Sequence, residues 1–404
     1  MSARAHAVAA PWWARDDLGY VNGRLHLAGC DVAAAYDEAG APLYLYSVAR
    51  VAANLARLKA ALARTGRPGR VFYAMKCNRF EPLLARLRGQ CGIDICSPNE
   101  MDRALACGFA ARDISFTGTG VSDRDLDRLL AQPDLHINCD TVGMIRRIGA
   151  RAPGRAIGVR ANPARGVGYS ERLVYAGDDV TKFGIYREQW GAALEAARAH
   201  GLTIRTLHFH VGCGWLDPQL ASWEAAIAEG LSFLDDLPDM TTVNIGGGLG
   251  LPQTAADAPL DLARWAAVLK QRLAGRDVTL AVEPGDYIVK DAGLLVLEAT
   301  DVEVKRDVEF VQVNGGFNLQ PEPAHYDRPC EPVACAPSTF DERAWRPVTV
   351  SGNINEALDV WARGHRMPPM AGGDRIAFLN TGGYGAAMSS NHCMRGDFAE
   401  RLLG

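Results

Sequence analysis

The chain carries no strong excess of either charge. Its 404 residues sum to a formal net charge of −4, and no cluster of lysine and arginine stands out. That excludes the electrostatic footprint of a nucleic-acid binder. No apolar run approaches the length that spans a bilayer. The opening residues, MSARAHAVAAPWWARDD, hold a short Ala-rich run before Trp12 and Trp13 but no proper apolar core of a leader, so no signal peptide is expected. Repeats of solenoid period are absent. The ten cysteines are scattered through apolar stretches. Cys91 with Cys96, and Cys330 with Cys335, share one spacing, but no matching histidine set accompanies them, so no metal site is expected. They read as small buried hydrophobes of a protein in a reducing cytoplasm. Apolar residues make up 48% of the chain, which is that of a soluble globular protein too long for one ordinary core.

Two kinds of rhythm follow. After short strand-like pieces in YVNGRLHL and PLYLYS and a helical DVAAAYDEAG, an amphipathic helix runs from Val51 to Thr65. Then strand and helix signals alternate. The strands are VFYAM, CGIDICS, DISFTG, LHINCD, AIGVRANP, TIRTLHFHVG, TTVNIGGG and VTLAVEPG. Helices are expected at Asn99–Cys107, Asp123–Leu130, Val142–Ala150, Gln189–His200, Gln219–Leu234 and Leu262–Leu273. Eight strands ending in polar or glycine residues predict a (β/α)8 barrel, an α/β fold whose chemistry gathers at strand C-terminal ends. Past Asp291 the helices thin out. LLVLEATDVEVKR, VEFVQVNGGF, RPVTVSG and DRIAFLNTGGYG predict a mainly antiparallel β-domain. The Pro-rich stretch from Gln320 to Arg346 reads as a long loop.

Lys76 ends the first barrel strand. A lysine there either snorkels its charge into solvent or offers an amine for a Schiff base. His208 and His210 sit two apart in a strand, so their rings share a face. Such a pair is more often structural, and H-x-H can also bind metal. Gly246, Gly247 and Gly248 form a triplet that is either a turn or an anion cradle of backbone N–H groups. Glu283 in VEPG is either a structural acid or the partner of a protonated ring nitrogen. Tyr384 in NTGGYG either packs or reaches a phosphate. Together they suit pyridoxal phosphate: Lys76 for the Schiff base, His210 against the ring, Gly247, Gly248 and Tyr384 for the phosphate, Glu283 for the pyridine nitrogen.

The segments YAMKCN, DICSPNE, RANP, KFGI, HFHVG, GGGLG, EPG, NEALD and GGYGAAMSSNH occur in the order found in the barrel-type pyridoxal-phosphate decarboxylases. The chain resembles that family, which includes diaminopimelate and ornithine decarboxylases, from about Pro42 to Asn391. The resemblance implies a cofactor-binding barrel over residues 45–290 and a β-domain assembled from 1–44 and 291–404. It also implies a homodimer with shared active sites, and further cofactor contacts from Gly285 and Asp286.

Departures bear on the substrate. The family's Cys-Glu-Ser-Gly-Asp motif reads Asn355, Glu356, Ala357, Leu358 and Asp359, which puts an amide where the family has a proton-donating cysteine. An amide is no general acid at neutral pH. EPGR reads EPGD, with Asp286 for an arginine. Arg-Pro-Ala-x-Tyr reads Glu322, Pro323, Ala324, His325 and Tyr326, and Glu322 would suit a distal amine. The serine expected after HFHVG is Cys213. The expected activity is α-decarboxylation of a basic or modified diamino acid rather than of diaminopimelate. Lys76, His210, Glu283 and Asn355 would be catalytic, with Glu322, Tyr326, Glu356 and Asp359 reading the substrate. The alternatives are a different fate for the carbanion (C–C bond formation or oxidative deamination), racemisation, and a non-catalytic binding relative.

Overall fold

A computed structural model describes residues 11–177 and 180–404. Most of the stretch weighed as a leader, residues 1–10, lies outside the described residues. The chain divides into two compact units. One is Ala52–Leu251 with Ala258–Val289; the other comprises the chain up to Val51, Pro252–Asp257 and Lys290–Gly404.

The first unit is a closed barrel of eight parallel strands: β1 (Gly69–Ala74), β2 (Gly92–Ile95), β3 (Ile114–Thr117), β4 (His136–Cys139), β5 (Ala156–Arg160), β6 (Thr203–His208), β7 (Thr242–Asn244) and β8 (Thr279–Val282). Each pairs with the next, and β8 closes on β1 through Val282 opposite Val71. Parallel strands covered on both faces need near-continuous apolar runs. Val71 to Met75, Ile93 with Ile95, and Ile114 with Phe116 supply them, all buried. Each such side chain contributes ~1.5–3 kcal/mol by leaving water.

The exceptions are polar residues at single positions inside these runs: Asp94, Ser115, Asn138, Asn244 and His208, all buried. Period-two alternation turns them toward the barrel axis. Asn138 donates to Ser115 Oγ at 3.1 Å and to Thr117 Oγ1 at 2.9 Å. Gly158, on the neighbouring β5, has no side chain because a Cβ there would stand 2.1 Å from Asn138 Oδ1.

Side chains cap the helices that return the chain. Ser97, Ser122 and Thr141 accept from the N–H groups of Glu100, Asp125 and Met144, and Asp261 accepts from Ala263 and Arg264. Such a cap is worth ~1 kcal/mol. The helices Asp123–Leu130 and Val142–Arg151 fall where periodicity puts them. A helix at Glu81–Leu87, too short for a periodic signal, was not expected.

The second unit is a mixed β-structure. Its main sheet runs, in spatial order, Pro332–Ala334, Arg375–Phe378, Gly293–Lys305, Val308–Val313, Arg346–Ser351 and Val360–Met367. Leu43–Ser47 also pairs with the long strand, and Ala399–Leu403 pairs with Leu43–Ser47. Most pairs are antiparallel, but Val308–Val313 with Arg346–Ser351, and Ala399–Leu403 with Leu43–Ser47, are parallel. A three-stranded antiparallel sheet, Leu18–Val21, Arg24–Leu27 and Cys30–Asp31, turns at Asn22 and Gly23. Both take positive φ, 51° and 79°, as a tight hairpin turn requires. The Pro-rich stretch is not the unbroken loop expected. It contains a helix Glu322–Tyr326 and the strand Pro332–Ala334. Val360–Met367 was also missed, because its Arg, Gly and His residues dilute the strand signal.

Candidate active site

β1 ends at Ala74, where its ladder partner is Asp94 of β2. Met75–Cys77 then form one 3₁₀ turn, so Lys76 stands just beyond the strand rather than in it. Met75 and Cys77 are buried while the Lys76 side chain is exposed at the C-terminal rim of the barrel. Its ammonium is favoured first by the charge Cys96 would carry as a thiolate, and then by Asp94 and Glu283, which outweigh the water its nitrogen loses to the surrounding barrel end.

Glu283 follows β8 and is buried. His208 Nε2 lies 3.0 Å from its Oε2. Asn244 donates to Oε1 at 2.7 Å, and Ser115 donates to the same oxygen at 3.2 Å. Burial pushes this carboxyl up, but His208, Asn244 and Lys76 outweigh it and hold it down at about 2. It is therefore an anion at any ordinary pH.

The two histidines do different work. His208 belongs to Glu283. His210 lies beyond the end of β6, where Gly247 N–H donates to its Nδ1 at 3.2 Å. Burial, then the charges of Lys76 and Arg160, depress its pKa well below the usual value. The ring is neutral, with its proton on Nε2. Tyr175 packs on it, centroids 5.3 Å apart and planes at 30°.

The glycine triplet tolerates no side chains. A Cβ on Gly247 would meet Glu283 O at 2.1 Å. On Gly248, at φ +95°, it would meet Gly212 O at 2.0 Å. Gly246 N–H donates to Asn244 Oδ1 at 3.0 Å. Gly285 packs on Cys77 in the same way, and Cys77 donates to Asp286 Oδ1 at 3.6 Å. Asp286 is buried at the start of the short helix Asp286–Val289.

The remaining expected residues lie in the other unit. Tyr384 is half-buried with φ +58° in the turn after Arg375–Phe378. A non-glycine residue there costs ~1 kcal/mol or more and signals a constraint. Asn355 and Glu356 are exposed at the tip of a turn, Glu356 3.6 Å from His392. Asp359 is buried and holds that turn, accepting from the N–H groups of Phe317 and Ile354, each at 2.7 Å. Tyr326 is half-buried at the end of its short helix.

Glu322 is not the open carboxylate expected of a residue that reads a substrate amine. It is buried, ion-paired to Lys290 and to Arg328 (3.0 Å), and accepts from Gln320 at 2.9 Å. Two cations already answer its charge.

Sequence reasoning passed over Asp94, Ser115, Asn138, Asn244 and the pairing of His208. The signal was present for Asp94, the one polar residue of GIDI; the others share their strands with further polar residues.

Residues 48–290 match the pyridoxal binding domain of the pyridoxal-dependent decarboxylases. The diaminopimelate decarboxylase of Methanothermobacter thermautotrophicus is 32% identical over 396 residues, covering 94% of this chain and 91% of the relative. The crystal structure of diaminopimelate decarboxylase from Helicobacter pylori complexed with L-lysine superposes with a TM-score of 0.81 at 26% identity, covering 90% of this chain and 91% of that one. The Paramecium bursaria Chlorella virus arginine decarboxylase shares the fold, with a TM-score of 0.78 at 19% identity over 90% of this chain and 96% of that one.

Pyridoxal phosphate fits the residues present. The Lys76 amine is open at the rim, the glycine loop presents backbone alone, and Glu283 is a fixed anion. On these grounds the chain belongs to the pyridoxal-dependent decarboxylases and is an amino-acid decarboxylase.

Proposed function

We propose that the protein removes the α-carboxylate of a basic or modified diamino acid rather than of diaminopimelate. The observation that carries the choice is Asp286. A buried carboxylate stands where the resembling motif has an arginine that helps bind phosphate or substrate, so a cation that could answer a distal carboxylate is missing. Glu322, already neutralised by Lys290 and Arg328, takes no part in the reading.

In this reading Lys76 binds the cofactor's carbonyl carbon through its amine. Gly247, Gly248 and Tyr384 hold the phosphate, with Gly285 and Asp286 beside the cofactor. Glu283 keeps a proton on the ring nitrogen, and His208, Asn244 and Ser115 aim it. His210, neutral, supports the ring face without adding charge. The bound cofactor supplies an electron sink for the pair left when carbon dioxide departs. Glu356 and Tyr326 contact the substrate's far end. Asp359 shapes the turn that carries Glu356 rather than touching substrate.

The exposed tip at Asn355 and Glu356 fits a homodimer in which each chain contributes this turn to its partner's site. The ten cysteines, none of them in a disulfide among the described residues, fit a cytoplasmic enzyme. Among the described residues no helix is long and apolar enough to cross a membrane.

The test is release of carbon dioxide from lysine, ornithine, arginine, diaminopimelate and carboxylated polyamines. Activity on a basic or modified substrate is expected; activity on diaminopimelate alone overturns the choice. Asn355 also favours a second reading, in which the electrons left at Cα form a carbon–carbon bond or pass to an oxidant. Product mass separates the two, since plain decarboxylation in heavy water leaves an amine with one deuterium at Cα.

A further inference from the structure

An acid is needed to protonate Cα once carbon dioxide has left, and Asn355 cannot be that acid. Four thiols belong to segments at the C-terminal ends of the barrel strands. Cys77, Cys139 and Cys213 are buried, and Cys77 is engaged with Asp286; Cys96 is half-buried. Two observations place Cys96 beside Lys76. Asp94 is the ladder partner of Ala74, so Lys76 and Cys96 each follow a paired strand end by two residues, Lys76 in the turn Met75–Cys77 that packs on β2. Once ionised, the Cys96 sulfur would also be the group that most favours the Lys76 ammonium. Cys96 is held from behind, since its N–H donates to Glu100 Oε2 at 2.6 Å within the cap of helix Pro98–Ala106.

Asp94 points from the same face of β2, two residues deeper. It is 3% exposed, and its Oδ1 has no hydrogen-bond partner among the described residues. A buried carboxyl oxygen left in that state calls for a role other than holding the fold together.

We propose that Cys96 is the acid that delivers a proton to the substrate's Cα, with Lys76 as the cation that receives the resulting thiolate. The proposal rests on the decarboxylase reading. The pair of electrons from the broken Cα–carboxylate bond takes the proton, so a C–H bond forms as the S–H bond breaks. Lys76, as an ammonium, would return a proton to sulfur and be left as a neutral amine. Solvent supplies the one proton consumed per turnover, and nothing is oxidised or reduced. Burial pushes the Cys96 thiol up to about 12, so it remains protonated until a strong base forms beside it. The groups facing it are Lys76, which eases its ionisation, and Asp94, Glu100 and Glu283, which oppose it.

Cys96→Ala and Cys96→Ser are compared with the wild-type holoenzyme in heavy water on the substrate the wild type decarboxylates best. The expected result is a fall of about 10²-fold or more in kcat for Cys96→Ala. Loss of a single deuterated configuration in its product should accompany the fall, and Cys96→Ser should be intermediate. A second readout needs no turnover. In cofactor-free protein at pH 9, Lys76→Ala should slow alkylation of Cys96 by iodoacetamide several-fold and leave Cys107 unchanged. Wild-type kcat and configuration in Cys96→Ala overturn the proposal, as does alkylation indifferent to Lys76. Absence of carbon dioxide release by the wild type refutes the decarboxylase reading instead.

Discussion

Glu283 shows how a single side chain acquires its charge. Alone in low dielectric a carboxyl keeps its proton; here His208, Asn244 and Lys76 reverse that preference. Its folded pKa of about 2 lies below the usual value. Such a group contributes stability that is fully present above the unfolded-state value and is lost as pH falls through the folded one. Glu283→Gln should therefore be less stable than wild type by a constant amount from pH 5 to 8. The gap should narrow as pH falls from ~4.5 toward 2, as read by urea midpoints across pH. The same variant should lower kcat by about 10²-fold or more while cofactor still binds, checked by turnover alongside cofactor absorbance. Glu322 behaves differently. Glu322→Gln leaves Lys290 and Arg328 buried without their anion and should cost ~3–5 kcal/mol in denaturant unfolding. A change in KM with unaltered stability would instead restore it as a substrate contact.

Between strands, the glycine loop has little latitude. Gly248 combines φ +95° with a carbonyl oxygen 2.0 Å from where a Cβ would sit. Gly248→Ala should weaken cofactor affinity by at least about tenfold, equivalent to ~1.4 kcal/mol, as measured by absorbance titration. The strands and most helices of the barrel were legible because apolar periodicity reports burial directly. Lys76 was legible because a charged residue at the end of an apolar strand is conspicuous. The environments of the site residues were not. His208 and His210 look equivalent in sequence, yet one lies within the ladder and meets Glu283 while the other lies beyond it and meets Gly247. Local pattern carries no information about which residue stands across a closed sheet. Glu322 was misread for the same reason, since its partners Lys290 and Arg328 are brought to it by the fold.

For the assembled enzyme, the proposed exchange of turns between two copies has a direct consequence. Lys76→Ala and Glu356→Ala proteins, each inactive alone, should regain activity when refolded together. In a random mixture of subunits about a quarter of the sites would be intact. Light scattering should report a dimer, and a monomeric species with full activity would remove the need for a partner. The barrel itself imposes a stricter condition. Ser115, His208 and Asn244 reach Glu283 from β3, β6 and β7, and Glu283 itself follows β8. Before the last strand joins the first, Glu283 has Asn244 and His208 on its own side of the open sheet, but Ser115 of β3 and Lys76 beyond β1 come to it only on closure, so the carboxylate and the amine it works with are not yet one site. Catalytic competence thus arrives only with the final stitch of the barrel, and half-finished molecules are chemically silent.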